Sequence, residues 1–293
     1  IPIDFSINQS NSYLNVLPID PVNDTTYFYT YYSGGSYEVT AQLANANINS
    51  MNDEGYRTGT FEMGSPNRTF ITPMQRDNLV GYWKFDEESG TTAYDYSGNN
   101  YHGTLTNGPI STTTSYGERV LYFDGTDDYV VTPVISIPET GKLSIIVWAN
   151  CAVQSLGQTI FGENYSGLNV GYIWWFRNGG TNNSYFRYGS SGWTSAGASV
   201  FTGYDNQWIM LSIVGDYSGE HYIKHYKNSA LYSTKNDSGT MLYPTGIRAR
   251  YIGAYGPGSG IMLGYIDDVR LYNRVLSSEE ITDIYNKTKH KYQ

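Results

Sequence analysis

The chain of 293 residues has a single cysteine, Cys151, so no disulfide can close within it, and a chain this long buries enough core not to need one. Cys151 ends the apolar run LSIIVWANC, where it reads as a small buried hydrophobe rather than a nucleophile. No stretch reaches the roughly 18 consecutive apolar residues that a membrane-crossing helix needs. Basic residues are outnumbered, 18 against 27, for a formal net charge of −9. Residues 1–77 hold 3 basic and 8 acidic side chains and residues 78–293 hold 15 and 19, so neither part carries the positive surface that nucleic acid requires. Charged residues make up only 15%, and the Ala/Leu/Glu/Lys runs of a mainly helical protein are missing. What is plentiful is tyrosine, 30 residues, and glycine, 32, the balance of an extracellular all-β protein. The chain opens IPIDFSIN, with no initiator methionine or signal-peptide pattern, and the expectation is a processed or trimmed product with an anchor upstream.

Two segments differ in grammar. In YFYTYYSGGSYEVTAQL, Tyr37, Val39, Ala41 and Leu43 alternate with Ser36, Glu38, Thr40 and Gln42, which predicts a half-buried strand closed by SGG into a hairpin with YFYTYY. Upstream, LPIDPVN is an extended, turn-rich lead-in, and residues 44–77 give one or two short strands among polar loops. A domain of this size with two or three strands is thin as an independent fold. LPIDPVN, YFYTYY and SYEVTAQLAN together resemble the C-terminal half of the globular head of type IV pilins and type II secretion pseudopilins. The resemblance implies a long N-terminal hydrophobic helix through which subunits polymerise into a fibre; that helix is missing from this sequence. Some members hold calcium in the loop after these strands, but the matching NDEG, Asn52 to Gly55, reads as a solvated turn.

From residue 78 the pattern becomes about a dozen short strands spaced by Gly/Asn/Ser turns, which predicts two packed antiparallel sheets. One helix follows, opened by a capping box from Ser277 to Glu280, with Ile281, Ile284 and Tyr285 on its apolar stripe. GYWKFDEESGTTAYDYSGNNYHGTL, LYFDGTDDYV, LSIIVWAN, QWIMLSIV and GYIDDVRLYNRVLSSEEI resemble, in this order, the laminin-G-like, concanavalin A-like jelly-roll family across residues 79–286. That resemblance implies an extracellular recognition module, often calcium-bound, found in adhesins and beside carbohydrate-active enzymes; it names no single ligand.

Catalytic patterns are missing. Sandwich glucanases carry Glu-x-Asp-x-x-Glu on one strand, and no glutamate here is followed two residues later by aspartate. Asp86, Glu87 and Glu88 are consecutive before a Gly turn, which suits a solvated turn or a metal loop better than an acid/base pair. There is no Gly-x-Ser-x-Gly elbow, and GPGSG lacks the strand-turn-helix context of a phosphate loop. His221 and His225 lie about 13 Å apart at strand spacing, too far for one zinc ion, and read as solvent-facing.

The aspartate out of place is Asp267. Strand alternation puts it in an apolar row with Tyr265, Val269 and Leu271, and Asp268 in the opposite row with Arg270, Tyr272 and Arg274. A charge in that row costs several kcal/mol unless it is paired or metal-bound. Calcium, which takes carboxylate and carbonyl oxygens from several loops, is one compensator; a buried arginine or a turn cap is the other. The family resemblance implies a structural calcium held by Asp267, with Asp86 and Gly125 at the matching places and Asp95 as an addition; Asp95 alternatively makes an Asx turn. For a sugar ligand, which needs aromatic faces among polar groups, the candidate loops are 162–169, 189–197 and 253–260, with Tyr165, Trp193 and Tyr255 as contacts.

The expectation is therefore an all-β chain: an antiparallel two-sheet jelly-roll sandwich with a short C-terminal helix at 78–293, preceded by a small β-rich pilin-like head at 1–77. Its function reads as that of a non-enzymatic adhesin-type pilin subunit at the cell surface. A calcium-stabilised module would bind a surface glycan or surface protein, and other pilin subunits would join through the missing helix. The alternatives are a carbohydrate-active enzyme or its accessory domain, and a structural fibre subunit that binds nothing.

Overall fold

The structure, a computed structural model, describes residues 29–33, 37–42, 60–64, 77–135, 141–152, 157–162, 173–177, 183–187, 204, 206–216, 218–236 and 249–293. The chain divides into two units, Ile1–Phe70 and Ile71–Gln293. In the first, β1 (Tyr29–Ser33), β2 (Tyr37–Gln42) and β3 (Thr60–Gly64) form an antiparallel sheet in that order. Tyr29 pairs with Ala41 and Ser33 with Tyr37, so the hairpin read from the alternation is present, with 34–36 as its connection.

The second unit is the sandwich. Its strands are β4 (Leu79–Trp83), β5 (Thr92–Ala93), β6 (Gly103–Thr106), β7 (Ile110–Thr113), β8 (Arg119–Asp124), β9 (Tyr129–Val131), β10 (Lys142–Cys151) and β11 (Gly157–Gly162). They continue as β12 (Ile173–Arg177), β13 (Asn183–Arg187), β14 (Trp208–Asp216), β15 (Tyr222–Lys227), β16 (Ala230–Asn236), β17 (Tyr251–Ile252) and β18 (Leu263–Tyr272). An eight-stranded sheet runs β16-β15-β14-β10-β18-β8-β7, with β4 also on β18, and a seven-stranded sheet runs β13-β12-β11-β17-β9-β6-β5. The short strands β5, β6 and β7, in TTAYDYSGNNYHGTLTNGPISTT, carry little apolar alternation.

The two sheets enclose one core, to which Trp83, Phe123, Val147, Phe161, Ile213, Ile252 and Leu271 contribute. The eight-stranded sheet is covered on its other face as well. There Tyr82, Ile146, Trp148, Met210 and Tyr272 pack against helix α1 (Ser278–Thr288) and Tyr292 beyond it. Double coverage is why β10 reads LSIIVWA without alternation: Leu143, Ile145, Val147 and Ala149 enter the inter-sheet core, while Ile146 and Trp148 meet the helix side. The capping box is formed: the Glu280 amide donates to Ser277 Oγ (3.2 Å) and the Ser277 amide to Glu280 Oε2 (2.9 Å). Arg274 Nη2 adds an ion pair to Glu280 at 2.6 Å.

β18 holds the sandwich together. Its first half, Leu263–Ile266, pairs with β8; its second half, Val269–Tyr272, pairs with β4; and β10 runs along its other edge. Between the halves the register on β10 slips, Trp148 opposing Asp267 and Ile146 opposing Arg270, and Asp268 takes φ 53°. This is a β-bulge. At the start of the strand Gly264 is required, since a Cβ there would stand 2.1 Å from the Asn150 carbonyl oxygen.

Candidate functional site

The bulge corrects the face assigned to Asp267. Simple alternation groups Asp267 with Val269 and Leu271, but the extra residue shifts the phase, so that Ile266 and Val269 both enter the inter-sheet core while Asp267 lies opposite Trp148 on the helix side. Asp267 and Asp268 thus share one face with Arg270 and Tyr272. Both are buried, at 0% and 2% exposure.

Each is compensated differently. The Tyr292 hydroxyl donates to Asp267 Oδ2, and Lys291, itself buried, lies near enough to act on it electrostatically. Burial nevertheless pushes the Asp267 carboxyl well above the usual range. Burial acts on Asp268 as well, but the Arg270 guanidinium, backed by Lys291, outweighs it and holds that carboxyl below its ordinary value. Arg270 Nε and Nη2 reach Asp268 Oδ1 at 3.0 and 2.9 Å, and Nη2 also donates to the Tyr82 hydroxyl at 3.1 Å. Lys84 is 4% exposed beside the Tyr96 and Tyr82 rings, and burial brings it down to about 8 against the pull of Asp86. Neighbouring carboxyls driven apart in this way can serve as acid and base. With Tyr292 on Asp267 and exposures of 0% and 2%, neither carboxyl of this pair reaches the surface among the described residues.

Of the other expected metal ligands, Asp95 and Gly125 lie elsewhere. Asp86 lies in the same electrostatic neighbourhood as Asp267. Asp95 sits against β4, and its carboxylate accepts the amides of Tyr82, Ser97 and Tyr101 and the Ser97 hydroxyl, at 2.8 to 2.9 Å. It organises the 95–101 turn, with the Asx geometry read as its alternative, and all its acceptor sites are taken. Gly125 belongs to a separate loop after Asp124, which pairs with Leu263, four residues and roughly 13 Å along β18 from Asp267. In that loop the carboxylates of Asp124, Asp127 and Asp128 converge, with ligand atoms within 4.8 Å of one another. Hard oxygen donors of this kind suit calcium, whereas the Asp95 carboxylate is fully used by its own turn; Asp267 Oδ2 is taken by Tyr292 and its Oδ1 is buried without a hydrogen-bond partner. The sequence hides this triplet because Asp127 and Asp128 read as a strand lead-in.

Of the ligand candidates, Trp193 and Tyr165 lie outside the described residues. Tyr255 is half-buried in a tight turn in which its amide donates to the Ser259 carbonyl at 2.9 Å. The turn folds back over β11: a Cβ on Gly162 would meet Tyr255 Cα at 3.0 Å. Gly162 pairs with Tyr251, so the backbone of Tyr255 crosses the face on which Tyr251 stands, the outward face of the seven-stranded sheet. Tyr129 of β9 is on that face too, since Val130 enters the core; its ring meets that of Tyr251 at 5.7 Å between centroids and 62°, both rings half-buried. Thr106 is opposite Tyr129, and Thr104 is opposite Val131, which in turn opposes Tyr251. Tyr129 and Tyr251 are not among the ligand candidates read from sequence. The alternation in DYVVT, with Tyr129 out of phase with Val130, is the signal that marks Tyr129.

A laminin-G-type family model, described as the concanavalin A-like lectin/glucanases superfamily, matches residues 124–282. No curated protein matches the chain. Among solved structures, the binding domain of botulinum neurotoxin serotype D is similar with a TM-score of 0.56 at 17% identity, over 72% of this chain and 52% of that one. The serotype D ligand-binding domain in complex with N-acetylneuraminic acid gives 0.55 at 14% identity, over 72% and 51%. The binding domain of Paraclostridial Mosquitocidal Protein 1 gives 0.57 at 12% identity, over 72% and 52%. The chain thus spans about half the length of these structures, and at such identities the likeness is one of fold. With more than half of its residues matched by the family and a two-sheet sandwich carrying them, the chain belongs to the concanavalin A-like lectin/glucanases superfamily.

Proposed function

We propose that this chain is a cell-surface recognition module that binds glycans through the outward face of its seven-stranded sheet, with the pilin-like segment as its attachment to a fibre. The observation that carries the reading is the pair of Tyr129 and Tyr251 on that face, beside Thr104 and Thr106 and next to the turn that carries Tyr255. Tyrosine rings offer an apolar plane to the C–H face of a sugar while their hydroxyls stay wet, and threonine hydroxyls serve sugar oxygens. The reading is supported by the fold shared with toxin binding domains, one of them in complex with N-acetylneuraminic acid. A binding role rather than catalysis is favoured because the two acids with opposed shifts, Asp267 and Asp268, are both buried. Calcium stays in the proposal only at the Asp124–Asp128 loop, as a support for the sandwich end and not as a sugar ligand.

The test is a glycan array probed with the protein and with Tyr251→Ala and Tyr129→Ala variants. The expected result is saturable binding that each variant weakens by about thirtyfold, the effect of removing an aromatic anchor worth about 2 kcal/mol. Silence of the intact chain on the array would remove the tyrosine face as a glycan site and favour a protein-binding adhesin or a structural fibre subunit.

A further inference from the structure

A cleft of about 140 Å³ opens at one end of the sandwich, where the 84–91 segment passes β6 and β7. Phe85, Leu105 and Leu121 give it apolar walls, and Glu87, Thr92 and Ser111 give it polar ones. Phe85 has φ 54°, the left-handed region that a bulky side chain rarely adopts. That turn leaves its ring in the inter-sheet core, 2% exposed, and carries Glu87 round to the cleft. Such backbone outliers persist where the surrounding structure holds them and are concentrated at binding sites.

Glu87 is fixed from two sides: Oε1 accepts the Tyr94 amide at 2.8 Å, and the Ser111 hydroxyl donates to its backbone carbonyl at 2.7 Å. Its own backbone amide also acts on the carboxylate, which keeps acceptor capacity beyond these two amides, and the hydroxyls of Ser89 and Thr92 have no hydrogen-bond partner among the described residues. Glu88 at the rim is answered by Arg119 at 3.4 Å, so the charge left facing the cleft is the one on Glu87. A fixed carboxylate oxygen with hydroxyls beside it and an apolar wall behind is the donor-acceptor pattern that holds adjacent hydroxyls of a pyranose ring. The negative charge disfavours a sugar acid, and the volume, about half the lower limit for drug-sized ligands, admits one ring rather than a chain.

We propose that this cleft is a subsite for a single neutral pyranose, with Glu87 accepting from two adjacent ring hydroxyls and Thr92 completing the set. The proposal rests on the reading of the chain as sugar-binding and adds a second, charge-selective site to the tyrosine face. It makes the opposite selection from a sialic acid site.

The test is a titration of the isotope-labelled protein with the methyl pyranosides of galactose, glucose, mannose and fucose, and separately with N-acetylneuraminic acid, followed through the backbone amides. Saturable shifts of the Thr92, Tyr94 and Ser111 amides by at least one neutral pyranoside are expected, with none from N-acetylneuraminic acid. Glu87→Gln keeps an acceptor for the Tyr94 amide but lacks the charge, and should weaken binding about tenfold. Ser89→Trp, at an exposed rim position, should close the cleft and abolish the shifts. Absence of shifts at these amides with every neutral pyranoside, shifts unchanged in both variants, or preferential shifts from N-acetylneuraminic acid would each overturn the subsite. Glycan binding on the array with still cleft amides sinks the cleft alone; moving cleft amides with a silent array sinks the tyrosine face alone.

Discussion

Tyr292 donates its hydroxyl to Asp267 Oδ2 at 2.5 Å, and its ring lies on Trp148, 4.2 Å between centroids and 27° between planes. One residue from the end of the chain thereby caps a buried carboxyl and seals the helix-side core. Removing only the hydroxyl, Tyr292→Phe, leaves Asp267 short of its donor and should cost about 1–3 kcal/mol. Tyr292→Ala also loses the stacking on Trp148 and Trp208 and should cost about 3–5 kcal/mol. Urea unfolding of both variants, with m unchanged, is the measurement; a Tyr292→Phe variant as stable as the parent would mean that the hydroxyl contributes nothing, and equal costs in the two variants that the ring adds nothing to it.

The opposed shifts of Asp267 and Asp268 predict opposed pH dependences. Asp267 is raised, so the folded state holds its proton where the unfolded chain has lost it; that contribution is whole below 3.8 and fades as pH rises toward the folded value. Asp268 is lowered, and its contribution is present above 3.8 and lost as pH falls through its folded value. Asp267→Asn keeps an acceptor for Tyr292 and cannot ionise. Its stability relative to the parent should therefore climb between pH 4 and 8 in a series of urea melts, and a flat difference would show that Asp267 does not titrate in that window.

His225 is a second correction, since its sequence setting predicts a solvent-facing ring and it is 1% exposed, opposite core residue Ile213. Its Nδ1 is 3.4 Å from Ser233 Oγ, and burial lowers it from 6.5 to about 4. The neutral ring stabilises the fold fully above 6.5, and the contribution falls away as pH drops toward 4, roughly 3 kcal/mol across that window. Replacing His225 with phenylalanine should flatten the stability profile between pH 6.5 and 4, read from melting temperatures in steps across the range.

Calcium at the Asp124–Asp128 loop predicts a melting temperature that rises with added calcium and falls back in chelator, an effect absent from an Asp124→Asn/Asp127→Asn double variant. Asp95→Asn should lower stability in calcium and in chelator alike, because its carboxylate serves backbone amides. A melting temperature indifferent to calcium would remove the ion from the proposed function.

Much of the sandwich is legible in the sequence because its signals are local. β10, β14 and β18 are long apolar runs, the hairpin of β1 and β2 is alternation around a Gly-Gly turn, and α1 begins with a capping box that the structure closes. Asp267 is recognisable as a buried acid because the residues on both sides of it, Tyr265, Ile266, Val269 and Leu271, are those of a strand inside a core. Its partner is not, because Tyr292 lies 25 residues away and reaches Asp267 only through the turn after α1.

By itself, then, the sequence determined the all-β class, the two-sheet sandwich with a terminal helix and the presence of a costly acid near its centre, since periodicity and composition are properties of neighbours along the chain. Only the tertiary structure decided which way that acid faces, because one extra residue in a bulge inverts a two-residue period. It also decided which tyrosines meet: Tyr129 and Tyr251 are far apart in sequence and come together only where β9 and β17 pair. A site built across strands depends on register, and register is set by the packing of the whole sheet.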